Sequence, residues 1–131
     1  MITPWTISDF QPELAYPKYD WEKQGGREIL EDPQFLKGPK NKMFIVYSAS
    51  ACWDDDYSLG ILTANLNNDP INPNVWVRSS KPVFNKSTEN NVYATGHNSL
   101  FKSPDGQEDW ILYHANTGAE QGCGKQRSPR A

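Results

Sequence analysis

Two adjacent acids are the first residues able to do chemistry. ILEDPQFLK, Ile29–Lys37, sets Glu31 and Asp32 directly before Pro33 and an apolar run. A carboxylate at the mouth of a strand can be held at a rim where it exchanges a proton with a ligand. Two acids before a proline are also ordinary turn residues, solvated on all sides. Asp54, Asp55 and Asp56 follow a second apolar stretch and have the composition of a solvated loop. His97 could meet a ligand, or pack in a β core with its nitrogens satisfied. Cys52 and Cys123 are too few for a disulfide-rich scaffold and wrongly spaced for a zinc site, which leaves a bridge and two separate thiols both open.

Those residues need elements to hold them. At 131 residues the chain is one domain at most, with room for a modest core. A net charge of −3 argues against a phosphate-binding surface, so no nucleic-acid partner is expected. No apolar run approaches membrane-spanning length, and MITPWTISDF lacks the basic and apolar regions of a signal peptide. Neither a membrane partner nor an export address is therefore expected in this chain. Ten Pro and nine Gly are spread along the length, which no long helix would survive. The apolar runs are short, β-branched or aromatic, and bounded by turn residues. They are WTIS at Trp5–Ser8, PQFLK at Pro33–Lys37, MFIVYSAS at Met43–Ser50, YSLGILTA at Tyr57–Ala64, VWVRS at Val75–Ser79, HNSLFKS at His97–Ser103 and DWILYHA at Asp109–Ala115. The Asp-Gly of SPDGQED marks a hairpin turn between the last two.

The runs repeat. FLK (Phe35–Lys37) precedes FIVYSA (Phe44–Ala49) across a polar turn, as LFK (Leu100–Lys102) precedes WILYHA (Trp110–Ala115). A recurring β unit of this size predicts a β-propeller, whose blades hold four strands each. Residues 31–84 supply four strands in order and fill one blade. Residues 1–30 supply an outer strand of a preceding blade and a connecting strap, and residues 85–131 begin the next blade with two strands. The expected fold class is all-β, a partial propeller of about one full blade plus parts of two neighbours. Its open edges could let copies of the chain self-associate.

In order, TPWTIS, YPKYDWEK, EDPQFL, FIVYSASACW, DDDYSLGILT, YATGHNSLFKSPDGQEDWILYHA and CGKQRSPRA closely resemble the C-terminal part of the catalytic domain of glycoside hydrolase family 43. The α-L-arabinofuranosidase and arabinan-degrading branch is the nearest part of that family. The resemblance covers essentially the whole chain and implies a five-bladed β-propeller. It also implies inverting hydrolysis at a central pocket by three carboxylates: a base, a pKa-modulating Asp and a general-acid Glu. One acid must protonate the leaving oxygen while a carboxylate across the sugar activates water. Glu31 falls on the general-acid position. Where the family usually has Gly between that Glu and the Pro, this chain has Asp32. A second carboxylate there could repel charge on Glu31 or strain a backbone suited to Gly. The family's base and modulating Asp both precede TPWTIS, and none of Asp9, Asp20, Asp54, Asp55 or Asp56 matches their motifs.

The resemblance also places His97, in TGHNS, at the propeller axis near the pocket floor. There it could help hold a calcium ion through water, although no cofactor is required; Thr95 stands where the family usually has Pro. Arg130 resembles a family Arg that reaches sugar hydroxyls with its forked guanidinium, with Arg127 as the alternative. The chain ends one residue after Arg130, so the strand that would hold it is expected to be missing. Trp53 is assigned a stacking contact with sugar and Asp56 a contact at the pocket rim. Trp21, Trp76, Trp110 and His114 are read as structural. By descent, the expected function is hydrolysis of arabinofuranosyl linkages in plant cell-wall polysaccharide by an extracellular enzyme. Its partner would be an arabinose-containing oligosaccharide or polysaccharide. The isolated chain is expected to be catalytically impaired, since inversion fails without a base. The alternatives are a non-catalytic carbohydrate-binding remnant and β-xylosidase-type specificity.

Overall fold

The computed structural model describes residues 3, 6, 8–125 and 127–131. Its strands form two antiparallel sheets. The first holds β1 (Leu30–Lys37), β2 (Lys42–Ala49), β3 (Ser58–Asn65) and β4 (Val77–Arg78) side by side in chain order. The second holds β5 (Tyr93–Lys102), β6 (Asp109–Asn116) and β7 (Ser128–Arg130), again in order. Helical structure among the described residues is limited to short 3-10 turns at Asp20–Glu22, Gln24–Gly26 and Pro73–Val75. A chain punctuated this densely by Pro and Gly allows no more.

The last strand corrects one expectation. Residues after His97 make three strands rather than two, because β7 pairs Arg130 with Tyr113 and Ser128 with Ala115 of β6. Arg130 is therefore held by a strand after all. The tripeptide SPR has no apolar alternation to announce it; the open edge of β6 supplies the pairing. The strand expected at Trp5–Ser8 falls partly outside the described residues, where Trp5 and Ile7 lie. Thr3 and Thr6 form a local bridge, closed by a 3.2 Å bond from the Thr6 N–H to the Thr3 carbonyl.

β1 lies at a sheet edge, where Pro33 can sit without breaking a ladder. The register with β2 shifts between Glu31 and Gln34. This bulge contains Asp32, at φ 50°, and Pro33. β2 is the central element, with Val46 to Ala49 all buried. On one of its faces Tyr47 and Ala49 join Leu62 of β3 to form a core against Leu14, Ala15 and Trp21 of the preceding strap and against Trp76. The alternating face, carrying Ser48, turns toward β5, whose His97 N–H it binds.

The strap is fastened by a buried charge. Glu22 is fully buried, and its carboxylate accepts the N–H groups of Lys18 and Tyr19 at 2.7 and 2.9 Å and the Tyr47 hydroxyl at 2.9 Å. Arg78 of β4 completes the node at 3.1 Å and also donates to the Tyr16 carbonyl at 2.7 Å. A buried carboxylate needs this full set of partners to offset its lost hydration. Further along, Ser50 Oγ accepts the Gln24 N–H at 2.9 Å and donates to the Trp21 carbonyl at 2.7 Å. A mainly apolar groove of about 280 Å³ remains between the strap and the first sheet, and Glu31 is among its lining residues.

Candidate active site

Glu31 stands opposite Ser48 of β2, immediately before the bulge. Bulges of this type re-aim side chains next to functional sites. The Tyr57 hydroxyl donates to Glu31 Oε1 at 2.7 Å. Tyr57 comes from the turn leading into β3 and is fully buried. Gly96 of β5 makes room for it: a Cβ on Gly96 would lie 2.1 Å from Cε1 of the Tyr57 ring. Burial above all pushes the Tyr57 phenol well above its usual range; Ser48 opposes the rise, Glu31 adds to it as a hydrogen-bonded and negatively charged neighbour, and Arg127 opposes it least. Tyr57 is therefore a neutral donor to Glu31 at any ordinary pH.

His97 lies within β5 at φ 52°, a left-handed conformation that few non-glycine residues adopt. The pairing of β5 with β6 is irregular on both sides of Gly96. The His97 N–H donates to Ser48 Oγ at 2.7 Å, so the residue opposite Glu31 is also bound by His97. The imidazole is exposed and stacks on that of His114, centroids 5.7 Å apart with planes 20° from parallel. Burial, then the positive charges of Arg127 and His97, hold the His114 pKa below its usual value, with Asp32 acting in opposition. Calcium takes roughly six to eight oxygen ligands. The neighbours found for His97 are instead a second imidazole and the Ser48 hydroxyl. Among the described residues no three His, Cys, Asp or Glu side chains converge. Calcium at His97 is therefore unsupported among the described residues.

The remaining candidates are dispersed. The Arg127 guanidinium carbon lies 5.6 Å from the centroid of the Tyr57 ring. Its Nε and Nη2 atoms are buried without a hydrogen-bond partner among the described residues, as is Nε of Arg130. Arg127 is thus the guanidinium set against the partner of Glu31, while Arg130 lies on β7 opposite Tyr113. Trp53 is 49% exposed, and its indole N–H donates to the Gly25 carbonyl at 3.1 Å. Asp56 pairs with Lys86 at 2.8 Å and borders a second cleft with Trp21, Gln24 and Ser58, whose lining includes neither Glu31 nor His97. Its neighbours are also engaged: Asp54 accepts the Asp56 N–H at 2.8 Å, and Asp55 accepts the Glu120 N–H at 3.0 Å. Cys52 and Cys123 are free thiols, the first half-buried and the second exposed. Burial and Cys123 push the Cys52 pKa up to about 11.

Sequence reasoning placed Ser48 and Tyr57 only within the runs MFIVYSAS and YSLGILTA and gave neither a role at the site. One signal was available in Gly96, since a glycine inside a strand marks a close approach by something large.

This geometry agrees with what comparison finds. The family model described as Glycosyl hydrolases family 43 matches residues 1–131, the whole chain. The chain belongs to family 43 of the glycosyl hydrolases. The family 43 chain is 40% identical over 114 residues to the extracellular exo-α-(1→5)-L-arabinofuranosidase of Streptomyces avermitilis, covering 87% of this chain and 23% of that protein. It is 37% identical over 115 residues to the enzyme of the same description from Streptomyces chartreusis, covering 88% and 34%. Among solved structures, α-L-arabinofuranosidase from Lactobacillus brevis superposes with a TM-score of 0.81 at 35% identity, over 88% of this chain and 34% of that one. A thermostable family-43 glycoside hydrolase gives 0.70 at 31% identity, over 87% and 35%. The family 43 chain thus spans between 23% and 34% of the length of these two Streptomyces relatives. Its all-β sheets are those of a partial β-propeller, the fold class expected from its repeat.

Proposed function

We propose that this family 43 chain supplies the general acid of an inverting α-L-arabinofuranosidase that acts on arabinose-containing oligosaccharide or polysaccharide outside the cell. The observation that carries the reading is the setting of Glu31, an exposed residue at a β-bulge with one carboxylate oxygen fixed by a buried tyrosine. The names of the relatives support the substrate class and the extracellular setting. In the reaction, Glu31 passes its proton to the glycosidic oxygen as the bond from that oxygen to the anomeric carbon breaks. A water, deprotonated by a carboxylate across the ring, attacks the same carbon from the opposite face. Solvent then returns a proton to Glu31. With Asp54, Asp55 and Asp56 each engaged elsewhere, the base is supplied from outside the residues gathered around Glu31. We read residues 31–84 and 85–131 as successive blades, 1–30 as the strap leading in, and Arg127 with Arg130, His97 and Trp53 as sugar contacts. Asp56 acts at most from the rim.

The test joins this chain to the earlier part of the Lactobacillus brevis relative in the register of their superposition. The joined ring should release arabinose from α-1,5-linked arabino-oligosaccharide. Glu31→Gln should lower that rate by about 10²–10⁴-fold. The loss should be much smaller on an aryl arabinofuranoside with an acidic phenol, whose departure needs no proton. Full activity of Glu31→Gln on the oligosaccharide, or an equal loss on both substrates, overturns the reading. The half-exposed indole of Trp53 favours a second reading, a module that holds sugar without cleaving it. Its signature is calorimetric binding of arabino-oligosaccharide by the joined ring with no turnover.

A further inference from the structure

Glu31 and His97 belong to different sheets, yet each is bonded to a buried hydroxyl, Tyr57 and Ser48 respectively. The His97 N–H donates to Ser48 Oγ at 2.7 Å. Ser48 stands directly opposite Glu31 in the β1–β2 register. The Tyr57 hydroxyl donates to Glu31 Oε1 at 2.7 Å. A backbone N–H can only donate, so it takes a lone pair of Ser48 and leaves the Ser48 proton free for another acceptor. The phenol proton is spent on the carboxylate, so the phenol oxygen keeps lone pairs able to accept one. Both hydroxyl residues are buried, Ser48 and Tyr57 each at 0% exposure. In such a place an unmade bond costs about 1–3 kcal/mol, and bonds aligned head to tail polarise one another. Two backbone features maintain the path: His97 keeps φ at 52°, and Gly96 lacks the Cβ that would displace the Tyr57 ring.

We infer that Ser48 and Tyr57 are positioning residues that choose the reacting oxygen of Glu31: Oε1 is a committed acceptor, and the proton given to the leaving group is carried on Oε2. The inference rests on the general-acid reading of Glu31 and adds to it the identity of the oxygen. The proton balance is simple. The proton on Oε2 goes to the glycosidic oxygen and is replaced from solvent, while the hydrogens of His97, Ser48 and Tyr57 stay in place. The other charged or titratable groups around this assembly are Asp32 next in the chain, the Arg127 guanidinium over the Tyr57 ring, the Cys52 thiol and the His114 imidazole stacked on His97. Among the described residues, Tyr57 is the hydrogen-bond donor to Glu31.

Infrared spectroscopy of the intact chain, at a pH low enough to protonate its carboxyl groups, reads the choice directly. The carbonyl stretch of protonated Glu31 is the band lost in Glu31→Gln. In Tyr57→Phe this band should move to higher frequency, because the carbonyl oxygen Oε1 loses its donor. Ser48→Ala should move it the same way by less. Near-ultraviolet circular dichroism verifies that each variant keeps its fold under the same conditions. A band that stays in place in folded Tyr57→Phe puts the proton on Oε1 and overturns the inference. If Tyr57→Phe does not fold, Ser48→Ala decides: an upward move supports the inference and an unmoved band overturns it. The band is read without substrate, so failure of the glycosidase reading in the joined ring would be a separate result.

Discussion

Asp32 holds a left-handed backbone at φ 50°, and aspartate is among the few non-glycine residues that tolerate one. Its Oδ1 takes the Gln34 amide at 3.3 Å, while Oδ2 is buried without a partner among the described residues. Both facts point to a residue held somewhat against its preference at the bulge that aims Glu31. Asp32→Gly should leave stability unchanged or raised by up to about 1 kcal/mol, whereas Asp32→Val should lower it by about 1–2 kcal/mol. Urea unfolding midpoints measure both. His114 carries a pH dependence whose sign follows from its depressed pKa. Below about pH 6.5 the unfolded chain takes up the imidazole proton more readily than the folded one, so stability falls as pH falls through that range. His114 is exposed, so its share is small. His114→Gln should make the melting temperature fall less steeply between neutral and mildly acid pH; a slope unaltered or steeper would contradict the depressed value. Glu31 was legible as a candidate because its motif is contiguous. Ser48 and Tyr57 were not, because their bonds depend on the meeting of two sheets that no local pattern encodes.

The strap shows at the scale of elements how far one buried group can govern position. Removing Glu22 would strand Arg78 and the Tyr47 hydroxyl and free the turn that places Gly25 beneath Trp53. Glu22→Ala should cost about 3–5 kcal/mol, and replacing Glu22 and Arg78 together by apolar residues should cost clearly less. Thermal melting of the single and double variants tests the comparison; equal losses would show that the pair is not the node. Strands β1, β2, β3, β5 and β6 were readable to within a few residues, because their apolar runs are bounded by Pro, Gly, Asn and Asp. The strap was not. DWEKQGG looks like solvated loop, and nothing local shows that its glutamate reaches an arginine 56 positions later. β7 was missed for a related reason: a strand of three residues, Ser128–Arg130, owes its existence to its neighbour.

At the scale of the molecule, repetition of the strand pairs was enough to give the fold class, since blades of a propeller share one pattern. The arrangement of one sheet against the next was out of reach, because it is fixed by contacts such as Gly96 against Tyr57. Around that seam four non-glycine residues take positive φ: Asp32 at 50°, Ser50 at 76°, Ala94 at 51° and His97 at 52°. Each such conformation costs on the order of 1–3 kcal/mol and persists only while its surroundings enforce it. The junction between the sheets is therefore the place where the fold should breathe first. In hydrogen exchange, the amides of Ala94 and His97 should trade protons with solvent sooner than those of Val46 and Leu62 in the middle of the first sheet. Local opening of that kind would loosen the hold on Glu31 well before either sheet melts, so the setting of that carboxyl group would be lost at a lower temperature than the architecture.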